Sequence, residues 1–185
     1  MSRALDIAAA ILERQSVDQM KLHKLLYFVQ AGSLAWFDAP AFEERIEAWT
    51  YGPVIRRVAG RYMNFDGDPI PGPVAGKSES LDHRTAWLVE RVLAEYGHLS
   101  GPELAELTKR TGTPWRKVRA DLPEEAPSDR EIPLTLLADF HKHHGVFPSV
   151  PTQAEEELAS RFLEGEPDAL ADLFETATGV RPIVR

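Results

Sequence analysis

The chain is predicted to be mainly α: a compact multi-helix domain with a C-terminal helical appendage, and at most a small strand element near 45–51 and in the 64–80 loop. Three observations predict this. Apolar residues recur at helical spacing over most of the sequence. Capping patterns and first-turn prolines punctuate those stretches. Only residues 45–51 show even partial alternation.

The elements follow in order. Residues 6–14 read as a short helix, with Leu5, Ala8, Ala9 and Leu12 at helical spacing. Ser16 and Gln19 have capping-box spacing for a second helix running to about Trp36. Leu22, Leu25, Leu26, Val29 and Ala31, broadened by Tyr27, Phe28 and Trp36, make it apolar around so much of its circumference that it is expected at the centre of the fold. Asp38-Ala39-Pro40 breaks it. Residues 45–51 read as a short strand or an extended lead-in. Gly52-Pro53 reads as a turn into a helix with Pro53 near its first position, continued by Val54, Ile55, Val58 and Tyr62. Residues 64–80, rich in Gly, Pro, Asp and Ser, read as a long surface loop with a short extended piece at Ile70 or Val74.

The second half holds a helix at 81–96 ended by Gly97, and another opened by the capping box Ser100-Gly101-Pro102-Glu103. Thr113-Pro114 starts a third. The Ser128 to Glu131 spacing suggests a cap before the helix carrying Leu134, Leu137, Ala138 and Phe140. This makes 1–144 one domain. Residues 145–185 form an acidic two-helix extension, with Leu158, Phe162 and Leu163 on one apolar face and Leu170, Leu173 and Phe174 on the other. Helices this short need a surface to dock on.

Composition narrows the function classes. A length of 185 residues suits one domain with a small appendage. The absence of cysteine excludes disulfides, thiol catalysis and Cys-ligated metal, and fits a cytoplasmic location. No apolar run approaches the roughly 18 residues of a membrane span, and Asp6 and Glu13 interrupt the N-terminal pattern, so neither membrane nor signal peptide is expected. The net charge of −8 is concentrated in 145–185, where eight acids face three bases, and argues against nonspecific nucleic-acid binding.

Candidate chemical sites are few. Gly76-Lys77-Ser78 resembles the end of a phosphate loop, but Pro71 stands where the pattern needs glycine, so a solvated loop is the simpler reading. His141, His143 and His144 cluster near a helix end without a further ligand set, which suits the helix dipole better than a metal. Glu47 sits in an aromatic segment where desolvation would raise its pKa, and ion pairing is its plainer role. Residues 109–119 carry five bases and no acid in a helix-turn-helix layout, with Arg116, Lys117 and Arg119 on the second helix, but the surrounding acids oppose DNA. No catalytic residue, metal or cofactor is expected. Trp36, Trp49 and Trp115 read chiefly as core, while Tyr51-Gly52-Pro53 reads equally as core or as interface.

Three segments in order carry a resemblance. They are Lys21, Leu22, Lys24, Leu25, Leu26, Tyr27, Phe28, Gln30 and Ala31; then Ile46, Ala48, Trp49, Tyr51, Gly52, Pro53 and Val54; then Tyr62, Leu99, Ser100, Leu104, Pro114 and Trp115. Over roughly residues 5–142 the sequence resembles the Panacea domain of SocA-like antitoxins. It departs from that pattern where a histidine commonly follows the threonine, since Thr108 is followed by Lys109. The resemblance implies a cytoplasmic antitoxin that neutralises a cognate protein toxin by direct binding. Alternatives are an adaptor that delivers the toxin to a AAA+ protease, or a DNA-binding regulator. The partner-binding residues expected on this basis are Tyr27, Gln30, Trp49, Tyr51, Gly52, Pro53, Val54 and Trp115, with Phe162 and Phe174 of the extension. The extension itself lies outside the resemblance.

Overall fold

The computed structural model describes residues 3–65 and 67–146, and all but the first two residues of the expected 145–185 extension lie outside the described residues. In order they form α1 (Ala4–Arg14), α2 (Gln19–Phe37), β1 (Glu47–Trp49), β2 (Gly52–Val54), α3 (Arg56–Tyr62), α4 (His83–Tyr96), α5 (Gly101–Lys109), α6 (Pro114–Val118) and α7 (Leu134–His144), with single 3₁₀ turns at Met63–Phe65 and Ser78–Ser80. The described residues are thus mainly α with one small two-stranded element.

α2 is the axis of the fold. Every residue from Lys21 to Leu34 is buried, and α1, α3, α4, α5 and α7 all pack on it. Leu22, Leu25, Leu26 and Val29 lose all exposure, each contributing on the order of 2 kcal/mol by leaving water. A helix buried on all sides must also find partners for its polar residues, because an unsatisfied polar group in the interior is costly. Lys21 Nζ donates to Gly97 O at 2.6 Å, and Ser33 Oγ donates to Ala39 O at 2.6 Å. The Gln30 side chain accepts from the backbone N–H groups of Ala41 and Phe42 and donates to Phe42 O, which pins the returning loop.

The start of α2 corrects the expected cap. Asp18, not Ser16, accepts from Lys21 N at 2.8 Å. Ser16 Oγ instead donates to Ile70 O at 2.8 Å, beside an isolated antiparallel bridge between Val17 and Ile70. A contact from a distant segment has outcompeted a local one. The 67–80 stretch is consequently more than surface loop. Ile70 is fully buried, and Gly76, at φ 91°, lies so close to α1 that a Cβ there would sit 2.0 Å from Leu5 O. Lys77 N donates to Asp6 Oδ1 at 2.9 Å. Gly76-Lys77-Ser78 therefore closes over the first turn of α1, and Ser78 opens a single 3₁₀ turn, not a helix.

Gly52 and Pro53 are also reassigned. They lie in β2, not in a turn leading to a helix, and α3 begins at Arg56. β1 and β2 pair antiparallel in the register Glu47↔Val54, Ala48↔Pro53, Trp49↔Gly52, leaving Thr50 and Tyr51 as the hairpin turn. The positive φ that a tight hairpin needs falls on Gly52, at 106°. Pro53, which has no N–H to give, faces Ala48, whose own N–H donates outward to Arg130 O at 2.8 Å. Ile132 N donates to Ile46 O at 2.8 Å, so the 130–132 segment lies along the free edge of β1.

The second half follows its caps. Asp82 caps α4, Ser100 and Glu103 close both arms of a capping box on α5, and Thr113 caps α6. Ser128 caps nothing: α7 begins after Pro133, and Ser128 Oγ accepts from Arg130 N in the extended segment.

α7 meets α2 through a buried polar contact. Tyr27 OH lies 3.1 Å from His141 Nε2, and His141 Nδ1 lies 3.2 Å from Gly145 O. Only the tautomer protonated at Nδ1 satisfies both, so Nε2 accepts from the phenol. Burial is the main cause that lowers the His141 pKa, to about 4, outweighing the opposing effect of Gly145 O. An unfolded imidazole titrates near 6.5. The folded value is depressed, so the stabilisation from keeping His141 neutral is complete above about pH 6.5 and is lost as pH falls towards 4, by on the order of 3 kcal/mol. Urea midpoints for wild type and His141→Gln between pH 7.5 and 4.5 are expected to show a shallower acid loss in the variant. Parallel slopes would remove His141 from the acid response.

Candidate partner-binding site

The hairpin is held from behind, from below and from one side. Trp115, with no exposed surface, donates from Nε1 to Trp49 O at 2.8 Å. Arg119 stacks its guanidinium over the Trp115 ring at 4.8 Å and donates to the carbonyls of Ala48, Glu124 and Ala126 at 2.9, 2.9 and 2.6 Å. Glu47, 6% exposed, accepts from Trp49 Nε1 at 2.7 Å and from Arg56 Nε and Nη2 at 3.0 and 2.8 Å. Arg56 also lies over the Trp49 ring at 5.5 Å. Burial pushes the Glu47 carboxyl up, but the hydrogen bonds from Arg56 and Trp49 and the nearby guanidinium charges prevail and hold it below the usual range. Glu47 is an ion-pairing anchor.

Tyr51 projects from the turn at 63% exposure, the most exposed aromatic among the described residues. Beside it lies a cleft of about 430 Å³ between the first turns of α2, the hairpin, Ala59 of α3 and Pro127-Ser128. Its walls are formed in large part by Met20, Trp49, Val54, Ala59 and Pro127. His23 and Lys24 line it as well. Lys24 Nζ donates to Pro53 O at 3.2 Å. Its stem fills the space a side chain at residue 52 would need, since a Cβ on Gly52 would lie 2.6 Å from Lys24 Cε. Burial lowers the Lys24 pKa to about 7, with Asp18 opposing and Lys109 reinforcing the shift. His23 Nδ1 accepts from Ile55 N at 3.3 Å, and its Nε2 is buried without a partner. Burial, reinforced by the Lys24 charge, lowers the His23 pKa to about 3, so the ring is neutral at pH 7.

The expected site residues separate into groups. Trp49, Tyr51 and Val54 come together on the cleft, with Gly52 and Pro53 as the buried strand beneath them. Tyr27 and Gln30 are buried farther along α2, where they hold α7 and the 41–42 loop, and Trp115 is buried behind the hairpin. Phe162 and Phe174 lie outside the described residues. Met20, His23 and Lys24 also line the cleft and are not among the expected partner-binding residues. Their i, i+3, i+4 spacing, which puts them on one helix face, is the signal that marks them.

The basic run does not form a reading helix. α6 has five residues, Arg119 lies beyond its end and turns inward, Lys109 pairs with Glu106 at 2.7 Å, and Arg116 lies 3.7 Å from Glu124. His143 and His144 bond back to Asp139 O and Phe140 O, and among the described residues no group of His, Asp or Glu is placed to hold a metal. No described helix is long and apolar enough to cross a membrane.

A family model described as antitoxin SocA-like, Panacea domain, matches residues 22–116, just over half of the chain. The match opens in α2, takes in the hairpin and the part of the cleft wall from His23 to Ala59, and closes on α6. No curated protein and no solved structure matches the chain.

Proposed function

Because the chain belongs to the SocA-like antitoxin family defined by the Panacea domain, we propose that it neutralises a cognate protein toxin by direct binding in the cytoplasm, with the hairpin turn and the adjoining cleft as the contact surface. The observation that carries this reading is the exposed Tyr51 on a clamped hairpin beside an apolar cleft. An exposed aromatic whose backbone is already fixed contributes contact area with little ordering entropy, the usual property of interface hot spots. Trp49 and Val54 extend the apolar surface into the cleft. Binding needs no turnover, and the carboxylate best placed for acid–base chemistry, Glu47, is engaged by Arg56 and Trp49. In this proposal residues 1–144 are the binding domain, and the acidic 145–185 extension, through Phe162 and Phe174, supplies a second contact attractive to a cationic toxin.

The test is co-expression with the growth-arresting product of an adjacent open reading frame. Tyr51→Ala is expected to weaken the purified complex by at least about tenfold, as loss of a hot-spot aromatic does, and to leave the melting temperature of the free protein unchanged. A variant that binds and rescues growth as wild type does would remove the hairpin from the mechanism. A chain that protects against no neighbouring product would remove the antitoxin reading itself.

A further inference from the structure

Two residues that line the cleft, His23 and Lys24, carry donors that the described chain answers only in part. His23 is 3% exposed, and its Nδ1 is taken by Ile55 N–H, so the neutral ring carries its proton on Nε2. That Nε2 has no acceptor. Lys24, the next residue, is 1% exposed and has one hydrogen-bond acceptor among the described residues, Pro53 O, for three N–H groups. No carboxylate of the described residues forms an ion pair with it. Asp18 acts on it through space only, and Lys109 opposes it. A buried ammonium with one bond and no counter-ion is an uncommon arrangement, because desolvated charge is ordinarily paired.

From these donors and the apolar walls beside them we infer that the cleft is a binding site for a monoanionic carboxylate carried on a short apolar stem. The carboxylate supplies the counter-ion that Lys24 lacks and an acceptor for His23 Nε2. The stem lies against Met20, Trp49 and Val54, and the volume of about 430 Å³ is within the range of small-ligand pockets. One ammonium matches one negative charge. A dianion such as a phosphate ester would carry a second charge into a protein of net charge −8. The acid can be a free small molecule or a side-chain or terminal carboxylate of a partner chain, and the inference stands independently of the antitoxin reading.

The experiment titrates the full-length protein with hexanoate and phenylacetate, and with hexanamide and phenylacetamide, by calorimetry at pH 6.5. Each acid is expected to bind at least tenfold more tightly than its amide. Equal affinities, or no heat from either acid up to about 10 mM, overturn the inference. Lys24→Met keeps an apolar stem of similar length and should abolish the preference for acid over amide. A preference that survives in the folded variant overturns the assignment.

If Lys24→Met does not fold, the wild-type pH profile decides. With Lys24 near 7 when free and raised by a bound anion, acid affinity should fall through pH 7–9 by roughly tenfold per unit, while amide binding stays flat. A flat acid profile overturns the inference. Adding the growth-arresting partner separates the two sources. Displacement of phenylacetate supports a partner carboxylate, and simultaneous binding supports a free acid. A chain that binds the acids but no toxin supports this site and sinks the antitoxin proposal.

Discussion

Trp115→Ala is expected to lower the unfolding free energy by about 4 kcal/mol, the middle of the range for removing a fully buried large aromatic. Trp115 is among the largest side chains in the structure with no exposed surface. Two losses add to the cavity. Trp49 O loses the indole N–H at 2.8 Å, and Arg119 loses the ring beneath its guanidinium. For a chain of this size the change corresponds to a fall of roughly 10 °C in melting temperature. Urea unfolding should show a lower midpoint with an unchanged slope. A loss below about 1.5 kcal/mol would mean that the hairpin is held without the indole.

Arg119→Met is expected to cost about 3 kcal/mol, and Arg119→Lys to recover little of it. Two effects oppose each other. Removing a buried cation that has no carboxylate partner among the described residues relieves desolvation, since burial, then the Arg116 and Arg130 charges, all disfavour the charged guanidinium. Against this, the carbonyls of Ala48, Glu124 and Ala126 lose charge-assisted donors in one step. The buried carbonyl of Ala48 left without a donor costs about 1–3 kcal/mol, and the 124–126 segment loses its tie to the hairpin apart from the bond from Thr50 Oγ1 to Ala126 O at 3.3 Å, which together outweigh the relief. Lysine cannot restore the arrangement, because a single ammonium cannot reach three divergent carbonyls as a planar fork can. Chemical denaturation of both variants checks this. Full rescue by lysine would show that the charge, and not the fork, is what holds the segment.

What the sequence disclosed, and what it did not, follows from where each signal is stored. The capping box of α5 and the Thr113-Pro114 start of α6 are written in adjacent residues and appear in the fold as read. The continuous apolar circumference of α2 likewise announced its central position. Ser16 had the right local spacing for a cap, yet its hydroxyl bonds to Ile70, 54 positions away. Gly52-Pro53 has the composition of a turn, but pairing with Ala48 and Trp49 draws it into a strand. Arg119 sits in a run that looks solvated, and its role depends on carbonyls presented by β1 and by the 122–127 segment. At the candidate site, Tyr51 and Trp49 were legible because large aromatics in a tight turn are conspicuous. Lys24 and His23 were not, because a lysine and a histidine inside an apolar helix declare their environment only when the hairpin closes over them.

Thr50 and Tyr51 have a further property. Their neighbours are fixed by Trp115, Arg119, Glu47 and Arg56, whose contacts reach the strands and not the Tyr51 ring. Tyr51 can therefore be exchanged with little disturbance to the folded body beneath it. Divergence at this tip could retarget the molecule while its thermal behaviour stayed constant, so recognition and folding can evolve on separate tracks.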